Sequence, residues 1–298
     1  MFNKNPGMTL KASVIIPTYE DWSVLQGCLD CLAVQTIGLD RFEVIVANNN
    51  PLPNVPASLR LPPNATVVHA SKPGSYAARN VALRLAKGKA LFFTDSDCLP
   101  DVRWIENGLS ALARLGPTDR IAGAVEFFPN GEDWTGPELY DRINLLRQSH
   151  YALSGWCATA NLVTTRAAFD LVGPFDEASF SGGDGEWGLR AAEAGSQIIF
   201  DADVSVRHPA RTDFAALAKK RRRLAGRRHQ KEVLAGVRTQ STVKFLLPSA
   251  NELAKVLQDD RVEDSKKFSV IWVGYRLRLV TFAELMRLRY LRGKPTRS

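Results

Sequence analysis

Asp95 and Asp97 close the run Leu91-Phe92-Phe93-Thr94-Asp95-Ser96-Asp97, two carboxylates spaced i, i+2 at the end of an apolar stretch. Side chains alternate along extended backbone, so this spacing predicts that both leave the end of a strand on the same side. Carboxylates converging where a strand exits a sheet make a poor core and a good site for a hard divalent cation, which prefers oxygen ligands. An Asp-x-Asp triplet by itself fits a solvated turn equally well, so its surroundings decide.

Those surroundings alternate between strand and helix. Ala12-Ser13-Val14-Ile15-Ile16-Pro17-Thr18-Tyr19 is a short β-branched run ended by proline, which reads as a buried strand. Val24, Leu25, Cys28, Leu29 and Leu32 recur at helical spacing over 22–34. Phe42-Glu43-Val44-Ile45-Val46-Ala47 and Ala65-Thr66-Val67-Val68-His69 predict two further strands, and a helix opens at Gly74 and runs to about 86. Parallel neighbours need helical crossovers, so the order predicts an α/β fold with a doubly wound, mostly parallel sheet and helices on both faces. Ligands of such sheets bind beyond the carboxyl ends of the strands, where Thr18, Asn48 and Asp95 fall.

With these elements in place, the chain resembles the family 2 glycosyltransferases of the GT-A fold. The resemblance rests on Ser13-Val14-Ile15-Ile16-Pro17-Thr18-Tyr19, Glu43-Val44-Ile45-Val46, Ala78-Arg79-Asn80 and Thr94-Asp95-Ser96-Asp97. It continues through Thr159-Ala160-Asn161, Val172-Gly173-Pro174-Phe175-Asp176-Glu177 and Gly183-Asp184-Gly185-Glu186-Trp187-Gly188-Leu189-Arg190, covering about residues 11 to 210. It implies an inverting transfer from a nucleotide sugar to a hydroxyl of a glycan or lipid-linked acceptor. Pro17, Thr18, Tyr19, Glu20 and Asn48 would hold the nucleotide, Asp95 would contact ribose or donor sugar, and Asp97 would ligate Mn2+ or Mg2+. Such an ion offsets the charge that develops on the departing diphosphate.

The resemblance also implies that Asp184 is the general base, with the glycines of Ser181-Gly182-Gly183 supplying a flexible loop before it. Several residues carry two readings. Arg79 adds positive charge near the phosphates or pairs with a carboxylate. Glu186 contacts the acceptor or favours a helix N-terminus. His208, in Val204-Ser205-Val206-Arg207-His208-Pro209, is a second metal ligand, as in many family members, or a structural histidine. Trp156 is a sugar platform for the acceptor or core filling.

Two places depart from the family pattern. Asn48-Asn49-Asn50-Pro51 stands where an aspartate that contacts the base is common, and Glu20-Asp21 stands where asparagine is frequent. The default donor, a UDP-sugar, therefore follows from the family alone. The proline-rich stretch from 51 to 63 predicts an irregular connection.

The 298 residues carry a formal charge of +8, divided unevenly. Residues 211–298 hold 22 Lys/Arg against 8 Asp/Glu, a formal +14, while the preceding part holds 17 against 23, a formal −6. The division predicts a catalytic domain over 1–210 and a basic helical extension over 211–298, with Lys219-Lys220-Arg221-Arg222-Arg223 and Arg227-Arg228 on a helix beginning near Asp213. Further on, Phe268, Trp272, Tyr275, Leu279, Phe282, Met286 and Tyr290 fall on one helical stripe flanked by Arg276, Arg278, Arg287 and Arg289. Such a stripe suits an anionic membrane surface or a lipid-linked acceptor; it equally suits packing on protein with arginines reaching outward. Charge interrupts it too often for a bilayer span.

No secretory signal is visible over Met1 to Met8, so the expected location is the cytoplasm, with a peripheral place on the inner face of a membrane. Cys28 and Cys31 have no matching second pair, and ordinary buried thiols are expected rather than zinc ligands. A nucleotidyltransferase of similar fold leaves the Asp184 segment unexplained. A nucleic-acid-binding protein accounts only for the basic tail.

Overall fold

The computed structural model describes residues 10–179, 181–236, 241–291 and 293. Met1 to Met8, on which the expected location rests, lie outside them. The apolar runs form strands β1 (Ala12–Thr18), β2 (Phe42–Asn48), β3 (Ala65–His69) and β4 (Ala90–Thr94), followed by β5 (Leu99–Pro100), β6 (Arg120–Phe128), β7 (Asn161–Thr165) and β8 (Ile198–Pro209). Helices α1 (Trp22–Ala33) and α2 (Ser75–Leu85) precede β2 and β4. Then come α3 (Trp104–Leu112), α4 (Gly136–Asn144), α5 (Gln148–Ala152), α6 (Arg166–Val172) and α7 (Gly183–Glu193).

The eight strands form one sheet in the order β3-β2-β1-β4-β7-β6-β8-β5. The first four are parallel, as the helical crossovers require. Beyond β4 the direction reverses: β7 runs antiparallel to β4 and β6, and β5 antiparallel to β8. The sheet is thus mixed, its parallel half being the part with strand–helix alternation legible in the chain. Residues 51–64 contain no helix or strand.

Period-2 alternation divides the core of this unit between the two faces of the sheet. Val14, Ile16, Val44 and Phe92 pack with Leu25 and Leu29 of α1 and Trp104 of α3. Ile15, Ile45, Leu91 and Phe93 face the other way, toward Ala78 and Ala82 of α2, Phe169 of α6 and Trp187 of α7. Each such side chain contributes about 1.5–3 kcal/mol on burial, and a one-residue slip would expose a whole set, so the register is firmly specified.

Two asparagines tie the framework together. Asn161 donates from Nδ2 to the carbonyls of Ala124 and Val204, both at 2.8 Å, and accepts from Trp104 Nε1 at 2.9 Å. Asn80 donates to the Phe175 carbonyl at 2.9 Å and accepts from the Phe175 amide at 3.1 Å, which fixes the segment before α7.

Contacts divide the chain into Met1–Glu126 with Leu146–His208, and Phe127–Leu145 with Pro209–Ser298. The second unit therefore contains α4 as well as α8 (Phe214–Leu234), a 3-10 turn at Val243–Leu246, α9 (Ala250–Gln258) and α10 (Asp264–Tyr290). Thr135 and Glu138 form a reciprocal capping box at the start of α4. Leu139 and Ile143 of α4 pack with Leu217, Val256, Val270, Val273 and Leu277, and Arg211 donates to the fully buried Asp141 at 2.9 Å. Net charge marks a change near residue 210, whereas the apolar face of α4 groups residues 127–145 with the later helices.

The buried face of α10 is Val270, Val273, Leu277, Leu285 and Leu288, while Phe268, Trp272 and Tyr290 of the aromatic stripe are more than half exposed. Its flanking arginines are held within the unit. Arg276 stands 3.9 Å from the Phe214 ring centroid, and Arg278 donates to the Leu247 carbonyl at 2.6 Å. Arg287 pairs with Glu284 at 2.6 Å and Arg289 with Glu232 at 2.5 Å. Among the described residues, no helix is long and apolar enough to cross a membrane.

Candidate active site

Parity in β4 determines the first contact. Leu91 and Phe93 face α2, and Asp95, two residues further, meets Arg79 of that helix in an ion pair. Arg79 is 3% exposed, and this ion pair is the contact one of its two readings expects. The backbone then turns, with the Cys98 amide bonding to the Asp95 carbonyl at 3.1 Å. Alternation consequently stops at Asp95, and the two carboxylates take different partners rather than sharing one side through strand geometry.

Asp97 lies with its Oδ2 3.4 Å from Nε2 of His208, which is buried. The sheet explains this meeting: β5 follows the turn and pairs Leu99 with Arg207, which sets the next residue of β8 beside Asp97 and Cys98. Donor atoms of Asp97, Cys98 and His208 lie within 4.8 Å of one another. Two ligands 3.4 Å apart can share an ion with bonds of about 2.1 Å, and a carboxylate with an imidazole is a donor set that suits Mn2+. Burial, with Asp97 and Asp95 adding repulsion, pushes the Cys98 thiol well up. Sulfur is a soft donor that a hard cation disfavours, so Asp97 and His208 fit the ion and Cys98 lines their site.

The loop after β1 is joined to the same turn through Asp21. Its carboxylate accepts from Thr18 Oγ1, from Ser96 Oγ and, at 3.0 Å, from the Tyr19 amide. Pro17 is half-buried in β1, while Tyr19 and Glu20 are exposed. Glu20 takes φ 57°, in the left-handed region, and its amide donates to Asn50 Oδ1 at 2.9 Å. Asn48 is buried, and its Oδ1 accepts from the Asn50 amide at 2.9 Å. Asn49 donates to the carbonyls of Ala70 and Lys72, both at 2.8 Å, and accepts from the Gly74 amide at 2.7 Å. Amides stand in this run because the loop requires a side chain that both donates and accepts.

Asp184 lies in the first turn of α7, and its Oδ1 accepts from the Tyr76 hydroxyl at 3.1 Å and from the Gly185 amide at 2.9 Å. The expected flexible loop is instead a tight helix start. Gly182 is the N-cap at φ 70°, and a Cβ on Gly183 would lie 2.9 Å from the Tyr76 ring. Glycine here admits a phenol against the helix. Burial, reinforced by Asp184, pushes the Tyr76 hydroxyl far up, so it donates as a neutral phenol. Arg79 stands 5.6 Å from the Tyr76 ring centroid, placing Asp95, Arg79, Tyr76 and Asp184 in one chain of contacts.

Glu186 pairs with Arg190 at 2.6 Å, and Arg190 also donates to the carbonyls of Val172 and Pro174. Trp156 stacks on Tyr151 with centroids 4.2 Å apart and lies against Gly185 and Gly188. Both contacts secure the start of α7. The sequence reading did not single out Tyr76, Cys98 or the linking role of Asp21. The available signal for Tyr76 was its i, i+3 relation to Arg79, which puts both on one helix face.

Residues 13–171 match the model of Glycosyl transferase family 2. Glycosyltransferase AglE of Haloferax volcanii is 35% identical over 219 residues, spanning 71% of this chain and 71% of that protein. Solved structures with a similar fold include the mannosyltransferase PcManGT from Pyrobaculum calidifontis in complex with GDP-Man and Mn2+, at 18% identity and TM-score 0.54, covering 97% of this chain and 77% of that one. S. aureus TarS 1-349 in complex with UDP-GlcNAc aligns at 17% identity and TM-score 0.52, covering 95% and 92% of the respective chains. The fold is a mixed α/β sheet of GT-A type with a helical C-terminal region, and the family match with the 35% identical relative makes the chain a glycosyltransferase. The chain belongs to glycosyl transferase family 2.

Proposed function

We propose that the chain is an inverting, metal-dependent enzyme that moves a sugar from a nucleotide-sugar donor to a hydroxyl of a glycan or lipid-linked acceptor. The observation that carries this reading is the contact chain from Asp95 through Arg79 and Tyr76 to Asp184, beside the Asp97 and His208 pair. Binding of the donor falls to Thr18, Tyr19, Glu20, Asn48 and Asp95 around the ends of β1, β2 and β4, with Pro17 shaping the first of these loops. A UDP-sugar is the first donor to test, by resemblance to the family; GDP-mannose is the second, since PcManGT was solved with it.

Asp97 and His208 would hold Mn2+ or Mg2+, which supplies Lewis-acid compensation of charge on the leaving diphosphate. Asp184 takes the proton of the acceptor hydroxyl as its oxygen bonds to the anomeric carbon. The bond from that carbon to the phosphate oxygen breaks, its electron pair leaving with the nucleoside diphosphate. One displacement inverts the configuration. Tyr76 holds the carboxylate by its hydroxyl, and Arg79 holds Asp95 toward the donor. Trp156 and Glu186 border the acceptor side through their positions at α7.

The second unit supports peripheral contact with an anionic membrane, because Phe268, Trp272 and Tyr290 stand exposed on a strongly basic segment. The test of the central reading is incubation with a panel of nucleotide sugars, with manganese and with chelator, followed by NMR of the released or transferred sugar. Manganese-dependent turnover with inverted configuration is expected. Turnover unaffected by chelation would overturn the metal assignment, and retained configuration would overturn the single displacement.

A further inference from the structure

Two cavities in the second unit lie beside one another and differ in character. The first, of about 220 Å³, is enclosed by α4, α9 and α10; Tyr140, Leu253, Val256, Phe268, Trp272 and Tyr275 make it almost wholly apolar. Phe268 and Trp272 are also exposed, so they form its outer rim. The second, of about 480 Å³, is lined by Arg221, Arg227 and Arg228, with Phe245 and Thr281. Contacts run directly between the two linings. Arg221 donates to the Tyr140 hydroxyl and lies 3.8 Å from Glu252 of the apolar cavity, while Arg278 of the apolar cavity stands over the Phe245 ring of the other at 5.4 Å.

The described lining of the second cavity holds three arginines and one carboxylate. Its one carboxylate, Glu232, is paired with the buried Arg289 at 2.5 Å. Arg228 is pressed toward the Phe245 ring at 5.4 Å, and its Nη1 is buried without a hydrogen-bond partner. Lys244 and Arg278 stand over the same ring at 5.3 and 5.4 Å, so three cations surround one aromatic side chain. Burial pushes the Arg228 guanidinium and the Lys244 ammonium down; Glu232 opposes the shift of Arg228, and neighbouring arginines add to both. Cations held this closely, one with an unmet donor, suit an anion with several acceptor oxygens.

We propose that the second unit binds an anionic amphiphile, a phosphate ester of a long apolar alcohol, with its chain in the apolar cavity and its phosphate against Arg221, Arg227 and Arg228. An isolated phosphate would leave the apolar cavity unused, and an uncharged lipid would leave the guanidinium nitrogen unmet. The assignment deepens the lipid-linked acceptor reading and rests on it for its role in transfer. The binding itself is a property of this unit.

The test is calorimetric titration of the full chain at low salt with octyl phosphate, dodecyl phosphate, dodecanol and inorganic phosphate, each below its aggregation limit. Dodecyl phosphate should bind at least tenfold tighter than octyl phosphate and than either dodecanol or inorganic phosphate. Leu253→Trp, which fills the apolar cavity, should abolish the dependence on chain length. Arg227→Gln should weaken dodecyl phosphate at least fivefold while leaving dodecanol unchanged; this residue is chosen over Arg228, whose guanidinium stands over the Phe245 ring. Equal binding of dodecanol and dodecyl phosphate, or of inorganic phosphate and dodecyl phosphate, would overturn the proposal. Manganese-dependent binding of nucleoside diphosphate, measured on the same samples, separates the two readings: its absence in the wild type counts against the transferase chemistry and leaves the amphiphile result standing.

Discussion

The Tyr76 hydroxyl donates to Asp184 Oδ1 at 3.1 Å, joining the helix that approaches Asp95 to the helix that begins at the proposed base. Tyr76→Phe removes this bond while keeping the ring that Gly183 accommodates. A hydrogen bond to a charged group contributes about 1.5–3 kcal/mol, so kcat should fall roughly ten- to hundredfold with little change in donor affinity. An unaltered kcat would make the contact one of packing alone.

Asp184→Asn tests the base directly. The amide retains the volume and can still accept from Tyr76, but it cannot take the acceptor's proton. The expected loss in kcat is about 10²- to 10⁴-fold with donor binding preserved. Wild-type turnover in a folded variant would remove Asp184 from this role.

Asp97→Ala and His208→Ala should each weaken the manganese-dependent affinity for nucleoside diphosphate, and the double variant should add little beyond the stronger single effect, because both act through one ion. Calorimetry with and without manganese is the measurement. Full additivity of the two losses would indicate separate roles.

Alkaline pH should destabilise the fold through buried groups that resist ionisation. Burial pushes the Cys28 and Cys157 thiols and the Tyr76 phenol up. In the unfolded chain thiols lose protons near pH 8.5–9 and phenols near 10, while in the folded chain these groups stay protonated. Their contribution is complete below those values and is lost as pH rises, by about 1.4 kcal/mol per pH unit for each group. Urea midpoints between pH 7 and 10.5 should decline above about pH 9, and Cys28→Ala should make that decline shallower.

The exposed aromatics of α10 provide a further test. Replacing Phe268, Trp272 and Tyr290 by serine should reduce sedimentation with anionic liposomes and leave donor affinity unchanged, since their side chains are largely exposed. The flanking arginines are unsuitable for this purpose: Arg278, Arg287 and Arg289 bond within their own unit, so changing them would perturb the helix itself. Liposome binding that persists in the serine variant would assign the contact to another surface.

The parallel half of the fold was readable because Val14, Ile15, Val44 and Phe92 lie in runs whose periodicity and helical crossovers leave few arrangements. The antiparallel half was not, since β7 and β8 reach their places through pairings such as Phe92 with Val163 that leave no local pattern. Asp95 and Asp97 were recognisable as a pair, yet their separate partners depend on a turn at Ser96 and on the register of Leu99 with Arg207. The aromatic stripe of α10 was periodic without being buried. Periodicity identifies a face, and only the neighbouring Leu139, Leu217 and Val256 determine which face is covered.

Asn49 joins the end of β2 to the approach of α2, with two carbonyls at 2.8 Å on its amide nitrogen and the Gly74 amide on its oxygen. An aspartate at this place would set negative charge against the oxygens of Ala70 and Lys72 and release the segment leading to Tyr76 and Arg79. The amide at this position is therefore coupled to the placement of two side chains it never touches, and exchanging it alone would cost order in α2 before it altered anything at the end of β2.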